Sequence, residues 1–138
     1  MKLSVRVVTT REDVAVVSVE GELDLDNVAL LDAVLLPLPG QGVRHVVVAA
    51  DRLRFCDVCG LRVLASVHAI MAATGGSLVV AEPAPALRRL IALMRGPEPD
   101  GPAPVAPVPV IRVYATVDQA VRGVTGLPRP SLTVSESS

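Results

Sequence analysis

Residues 43–49 read Val-Arg-His-Val-Val-Val-Ala, and residues 77–81 read Ser-Leu-Val-Val-Ala. These two short, nearly continuous apolar runs constrain the fold more than any other feature. A strand with one wet face alternates polar and apolar residues. A strand without alternation is buried on both faces, which requires a covering layer on each side of its sheet. The residues between the runs are spaced for a helix from about 59 to 73. Leu61, Leu64, Val67 and Met71 line one face, and Arg62, Ser66 and Ala73 fall on the other. Thr74-Gly75-Gly76 is a helix stop signal.

The flanking segments extend this pattern. Residues 3–8 and 14–20 are rich in β-branched residues and read as two strands. The polar stretch Thr9-Thr10-Arg11-Glu12-Asp13 joins them as a hairpin. Leu30, Leu31, Val34, Leu35 and Leu38 form one apolar helical face, with Asp26 as the expected N-cap and Pro37, Pro39 and Gly40 as the stop. Leu87, Leu90, Ile91 and Met94 give the next helix its core face, leaving Arg88 and Arg89 to water. Residues 97–109 hold six of the chain's twelve prolines and predict an extended loop. Val110 to Tyr114 reads as a strand. Thr116 and Gln119 make a capping-box pattern before Val117, Ala120, Val121 and Val124. The order β-β-α-β-α-β-α-β-α predicts an α/β domain over residues 1–125. Its sheet is mixed but mostly parallel, opens with an antiparallel hairpin, and is covered by about four helices. A disordered tail is expected over 126–138.

Composition removes several function classes. The chain has no Trp, one Phe and one Tyr, so it lacks the exposed rings on which nucleic-acid modules stack bases. Its 13 basic and 14 acidic residues give a net charge of -1 without a long single-sign run, and no nucleic-acid partner is expected. Arg6, Arg11, Glu12 and Asp13 fall where a signal peptide needs an apolar region. The apolar stretches 28–38 and 61–73 are shorter than the roughly 20 residues of a membrane span. A cytoplasmic protein without membrane contact is therefore expected.

The segment Arg54-Phe55-Cys56-Asp57-Val58-Cys59-Gly60-Leu61 leaves a buried strand and enters a helix, where α/β folds commonly build sites. It supports three physical readings. Cys56 and Cys59 make a C-x-x-C pair at a helix N-terminus, where a dipole activates thiols; the neighbouring Asp57 carboxylate opposes a thiolate. A zinc site wants four ligands; His45 and His68 are remote from this pair, so no metal is expected. In the third reading the cysteines are structural, with Phe55 and Cys56 packed beneath the loop and Cys59 at the helix start. Asp24, Asp26 and Asp57 are dispersed acids suited to caps and turns. No nucleophile elbow or glycine-rich phosphate loop is present, and no cofactor is expected.

Val16-Val17-Ser18-Val19-Glu20-Gly21-Glu22-Leu23-Asp24 resembles the second strand and Gly-Glu-Leu-Asp turn of STAS domains, the anti-sigma-factor-antagonist family. Leu53 to Leu64 resembles the family's Phe-x-Asp-Ser-Ser/Thr/Ala-Gly-Leu loop and helix start. Gly75-Gly76-Ser77-Leu78-Val79-Val80, followed by Pro85-Ala86-Leu87-Arg88-Arg89-Leu90, resembles the next strand and helix. The match runs in one order over about residues 3–124.

The resemblance implies a non-enzymatic protein-binding module that docks on an anti-sigma factor carrying an ATP-binding kinase domain. In the family that kinase phosphorylates the serine after the loop aspartate, and the phosphate abolishes docking. Here the residue after Asp57 is Val58, and the next is Cys59. Asp57 and Gly60 are retained, so the resemblance implies a matched binding loop without its phosphoacceptor. Carried over onto this sequence, the partner-binding residues are Asp24, Asp57, Gly60 and Leu61, with Val58 and Cys59 at the altered switch positions. Two other readings stand beside this one: a STAS-type scaffold subunit of a larger assembly, and a thiol redox protein using Cys56 and Cys59. The proline-rich stretch 96–109 is a further departure, because the family has a short turn there.

Overall fold

The computed structural model describes residues 2–95 and 111–125. Strands β1 (Leu3–Arg11) and β2 (Val14–Leu23) form the antiparallel hairpin, turning tightly at Glu12 and Asp13. Helix α1 (Val28–Leu35) follows, then a single 3₁₀ turn at Pro39–Gln41 and strand β3 (His45–Ala49). Strand β4 (Leu53–Cys56) runs directly into helix α2 (Val58–Ala72). Strand β5 (Ser77–Ala81), helix α3 (Pro85–Arg95), strand β6 (Val113–Tyr114) and helix α4 (Val117–Thr125) complete the described elements.

The sheet order is β1-β2-β3-β5-β6, parallel from β2 onward. The apolar runs at 43–49 and 77–81 become the two central strands, β3 and β5. Their alternate residues face opposite layers. Val46, Val48, Leu78 and Val80 meet Leu31, Leu35, Leu64, Val67, Met71, Leu87 and Ile91 in the main core. Val47, Val79 and Ala81 join Val14 and Val16 beneath Ala120 and Val124 of α4. Each fully buried Val or Leu contributes roughly 1.5–3 kcal/mol, so both layers favour this register. A slip of one residue would exchange the two layers.

Several expectations from sequence are corrected here. Strand β4 was not anticipated, and it gives the chain one more strand than the expected order. Its burial pattern, with Leu53 and Cys56 inside and Arg54 and Phe55 outside, has no period of two. Among the described residues it pairs only with the end of β2, with a register irregularity between Gly21 and Glu22. β3 takes residues 14–18 of β2, and β4 takes residues 21–23 further along the same edge. The last strand keeps two residues of the expected 110–114. Leu30, assigned to the core face of α1, is 44% exposed. The stretch 96–109, Val110 and the tail 126–138 lie outside the described residues, as does the side chain of Met94.

Gly21 pairs with Leu3 at the open end of the hairpin. Its φ is +106°, and a Cβ there would sit 2.1 Å from the Lys2 carbonyl oxygen, so only glycine fits. Among the described residues, no helix is long and apolar enough to cross a membrane.

Candidate functional site

β2 and β4 end side by side, with Glu22 opposite Phe55 and Leu23 opposite Cys56. Each releases a turn that leads into a helix. Together these turns bring the Asp24 segment beside the Asp57 segment.

The turn after β4 is short and anchored to its neighbours. The Asp57 N–H donates to the Leu23 carbonyl at 3.1 Å, tying the two strand ends together. Asp57 is extended at the N-cap of α2, and its Oδ1 accepts the Gly60 N–H at 3.0 Å. The Asp57 carbonyl accepts the Leu61 N–H at 3.1 Å. The side-chain bond to Gly60 satisfies one of the free donors that every helix start carries. Gly60 is buried because the helix presses directly on β2. A Cβ there would lie 2.6 Å from Leu23 Cγ and 3.1 Å from Cys56 Sγ. Asp57 thus takes the cap role its type suits, and Gly60 has a close-packing role that the sequence reading had not assigned.

The turn after β2 is braced by side chains. Asn27 Oδ1 accepts the Asp24 N–H at 2.9 Å, and Asn27 Nδ2 donates to the Glu22 carbonyl at 2.7 Å. Asp24 Oδ1 accepts the Asp26 N–H at 3.0 Å. Asn27, not Asp26, occupies the N-cap position of α1, and it makes no side-chain bond to the helix. The correction has a local cause. In Asp-Leu-Asp-Asn the first Asp closes an Asx-type turn on the second, and the Asn side chain folds back on the strand. Asn27 was not singled out from sequence, although short polar side chains that bond nearby backbone are the usual builders of such turns.

Of the six residues carried over from the resemblance, Val58 is 40% exposed and is the first residue of α2. Asp24, Asp57 and Cys59 are half-buried. Gly60 and Leu61 are buried and shape the surface from beneath. The expectation that Phe55 packs under the loop is overturned: Phe55 is 43% exposed, because Cys56 takes the inward position beside it. Leu25, at the tip of the other turn, is 69% exposed. The end of the sheet therefore carries exposed apolar side chains from both turns next to two carboxylates.

Burial, reinforced by the Asp57 charge, pushes the Cys56 thiol from 9.0 up to about 12. Both cysteines are free. Among the described residues no group of three or more His, Cys, Asp or Glu side chains is arranged to hold a metal ion. His68 serves the fold. Its Nδ1 accepts the Leu78 N–H at 3.0 Å, clamping α2 to β5, and burial holds its pKa below 6.5, helped by the charge of Arg112.

Residues 7–95, more than half of the chain, match the family model described as "Mlab, STAS domain". The chain belongs to the STAS domain family. Solved structures agree on its fold. The Bacillus anti-sigma factor antagonist SpoIIAA in its unphosphorylated form superposes with a TM-score of 0.67 at 21% identity, over 93% of this chain and 100% of that one. An anti-sigma factor antagonist from Mycobacterium paratuberculosis gives 0.73 at 22% identity, over 90% of this STAS domain and 95% of its own length. The murine anion transporter Slc26a9 gives 0.65 at 16% identity, over 86% of this chain but only 18% of the transporter.

Proposed function

We propose that this STAS domain is a cytoplasmic, non-enzymatic binding module that docks on an anti-sigma factor with an ATP-binding kinase domain, free of phosphorylation control at the usual loop. The observation that carries this reading is the position of Val58. It stands exposed on the first turn of α2, directly after the capping Asp57, where the resemblance places the phosphoacceptor serine. Asp57 is held by its backbone and side-chain bonds, so the docking face is preformed and lacks the hydroxyl that would switch it off. The likeness to SpoIIAA and the Mycobacterium antagonist supports the partner class.

A second reading, a scaffold subunit within a larger assembly, draws support from Slc26a9, where the same fold makes up a small share of a long chain. The thiol redox reading is disfavoured. The Cys56 thiol is buried and about 12 in pKa, whereas an exchanging pair needs an accessible, low-pKa thiol.

Calorimetric titration of Val58→Asp against the kinase tests the proposal. In an apolar contact the new carboxylate is desolvated without a partner, at a cost of several kcal/mol, and affinity falls by roughly two orders of magnitude or more. At an exposed first-turn position the same acid leaves the melt intact, since it favours the helix dipole by about 0.3–1 kcal/mol. Unchanged affinity would remove this face as the docking surface. A stoichiometric phosphate between residues 55 and 61 after incubation with kinase and ATP would refute the missing switch.

A further inference from the structure

An open groove of about 880 Å³ lies beside the docking face, between the start of β1, the end of β2, the first turn of α1 and the segment that leads into β4. Lys2, Arg52 and Arg54 line it, with Asp51 and Glu20 as its acids. Glu20 is already set against Arg6, 3.9 Å away. That leaves three cationic residues and one other acid in its lining, in a chain whose net charge is -1. The excess is local. None of the three cations has a carboxylate within ion-pair distance among the described residues.

The groove is also fixed in shape. The Gly21 N–H donates to the Arg52 carbonyl at 3.0 Å, and the Glu22 N–H donates to the Lys2 carbonyl at 3.0 Å. Arg52 and Lys2 are thereby pinned by their backbones on opposite edges of β2. The exposed side of Leu30 adds an apolar wall. A nucleotide finds little here. No aromatic ring lines the groove, and the one glycine spends its N–H on Arg52, so no nest of backbone donors faces a phosphate.

We infer that this groove receives an acidic peptide segment of the docking partner, its carboxylates meeting Lys2, Arg52 and Arg54 while an apolar side chain rests on Leu30. The identity of the partner rests on the docking reading above; the chemistry of the groove does not. Arg54 immediately precedes Phe55 in β4, so one partner can cover the apolar face and the basic groove together.

The test uses the isotope-labelled protein and a synthetic peptide of alternating glutamate and leucine, in about 0.15 M salt, where distant charges are screened. Amide shifts should concentrate at residues 2–4, 20–21, 27–30 and 51–54. Arg52→Glu with Arg54→Glu should weaken the peptide by about tenfold or more. Arg88→Glu with Arg89→Glu places the same charge change on the exposed face of α3 and should alter affinity by less than about twofold. Shifts outside the groove, equal losses in the two double variants, or a stronger groove response to ATP or inorganic phosphate would each overturn the inference. A silent groove alongside kinase binding that Val58→Asp abolishes sinks this inference alone. Groove binding alongside kinase binding that ignores Val58→Asp sinks the docking reading alone.

Discussion

The starts of α1 and α2 leave the same end of the sheet from neighbouring strands, yet they are held by opposite means. The turn into α1 is braced to itself and to its strand: Asn27 bonds Asp24 and Glu22, and the helix start receives no side-chain cap. The turn into α2 is braced to its helix, through Asp57 and Gly60, and to the other strand, through the Leu23 carbonyl. Leu23 is the shared element, since the Asp57 N–H bonds its carbonyl and Gly60 presses on its fully buried side chain. The comparison teaches that this end of the sheet is a single unit with two different anchors. The second turn presents the exposed aliphatic side chain of Val58 directly after its anchor Asp57.

The largest break in this arrangement is Gly60→Val. A Cβ already lies 2.6 Å from Leu23 Cγ, and Leu23 has no exposed side toward which to retreat. Overpacking of this kind costs about 3 kcal/mol, more than the helix gains from losing a glycine. A denaturant melt should show it, and Leu23→Ala in the same chain should recover part of the loss by making room. A melt within about 0.5 kcal/mol of the parent would mean that the two turns are not packed against each other as described.

The next test sets the two anchors side by side. Asn27→Ala removes two backbone bonds, one of them to the half-buried Glu22 carbonyl, and should cost about 2 kcal/mol. Asp57→Ala removes one cap bond and should cost about 1 kcal/mol. The ranking in urea melts is the prediction. If Asp57→Ala costs more, then the helix cap, and not the side-chain brace at Asn27, is the stronger anchor of this surface.

These contrasts show what the sequence carried and what it did not. β3 and β5 were readable because both faces of each strand are buried, which leaves an unbroken apolar run. The faces of α2 and α4 were readable because each packs on one layer with a 3.6-residue period. β4 was hidden because it pairs with only three residues of β2 and two adjacent side chains face outward. At the candidate site, the residues of the second turn could be named from the resemblance, but their arrangement could not. Whether Phe55 or Cys56 turned inward depended on the irregular register of β4. The role of Asn27 depended on where the chain turned after Leu23. Both are tertiary outcomes that no local pattern records.

The smallest effect separates the two anchors by pH. Cys56 lies beneath the α2 turn, and the α1 turn has no buried thiol. The folded protein holds the Cys56 proton up to about pH 12, while the unfolded chain releases it near 9.0. Above pH 9 the unfolded state therefore binds fewer protons than the folded state, and stability falls as pH rises. From pH 8 to 9.5 this linkage removes about 0.8 kcal/mol, since each further unit above the unfolded pKa is worth about 1.4 kcal/mol. Cys56→Ala should abolish that decrement whatever its own baseline stability, and Cys59→Ala should retain it. Urea melts of the three proteins at both pH values make the comparison, with the change across pH as the readout. A decrement that survives Cys56→Ala would show that the thiol beneath the α2 turn is not the group held protonated by burial, and the packing of Leu23, Cys56 and Gly60 around it would need to be looser than described.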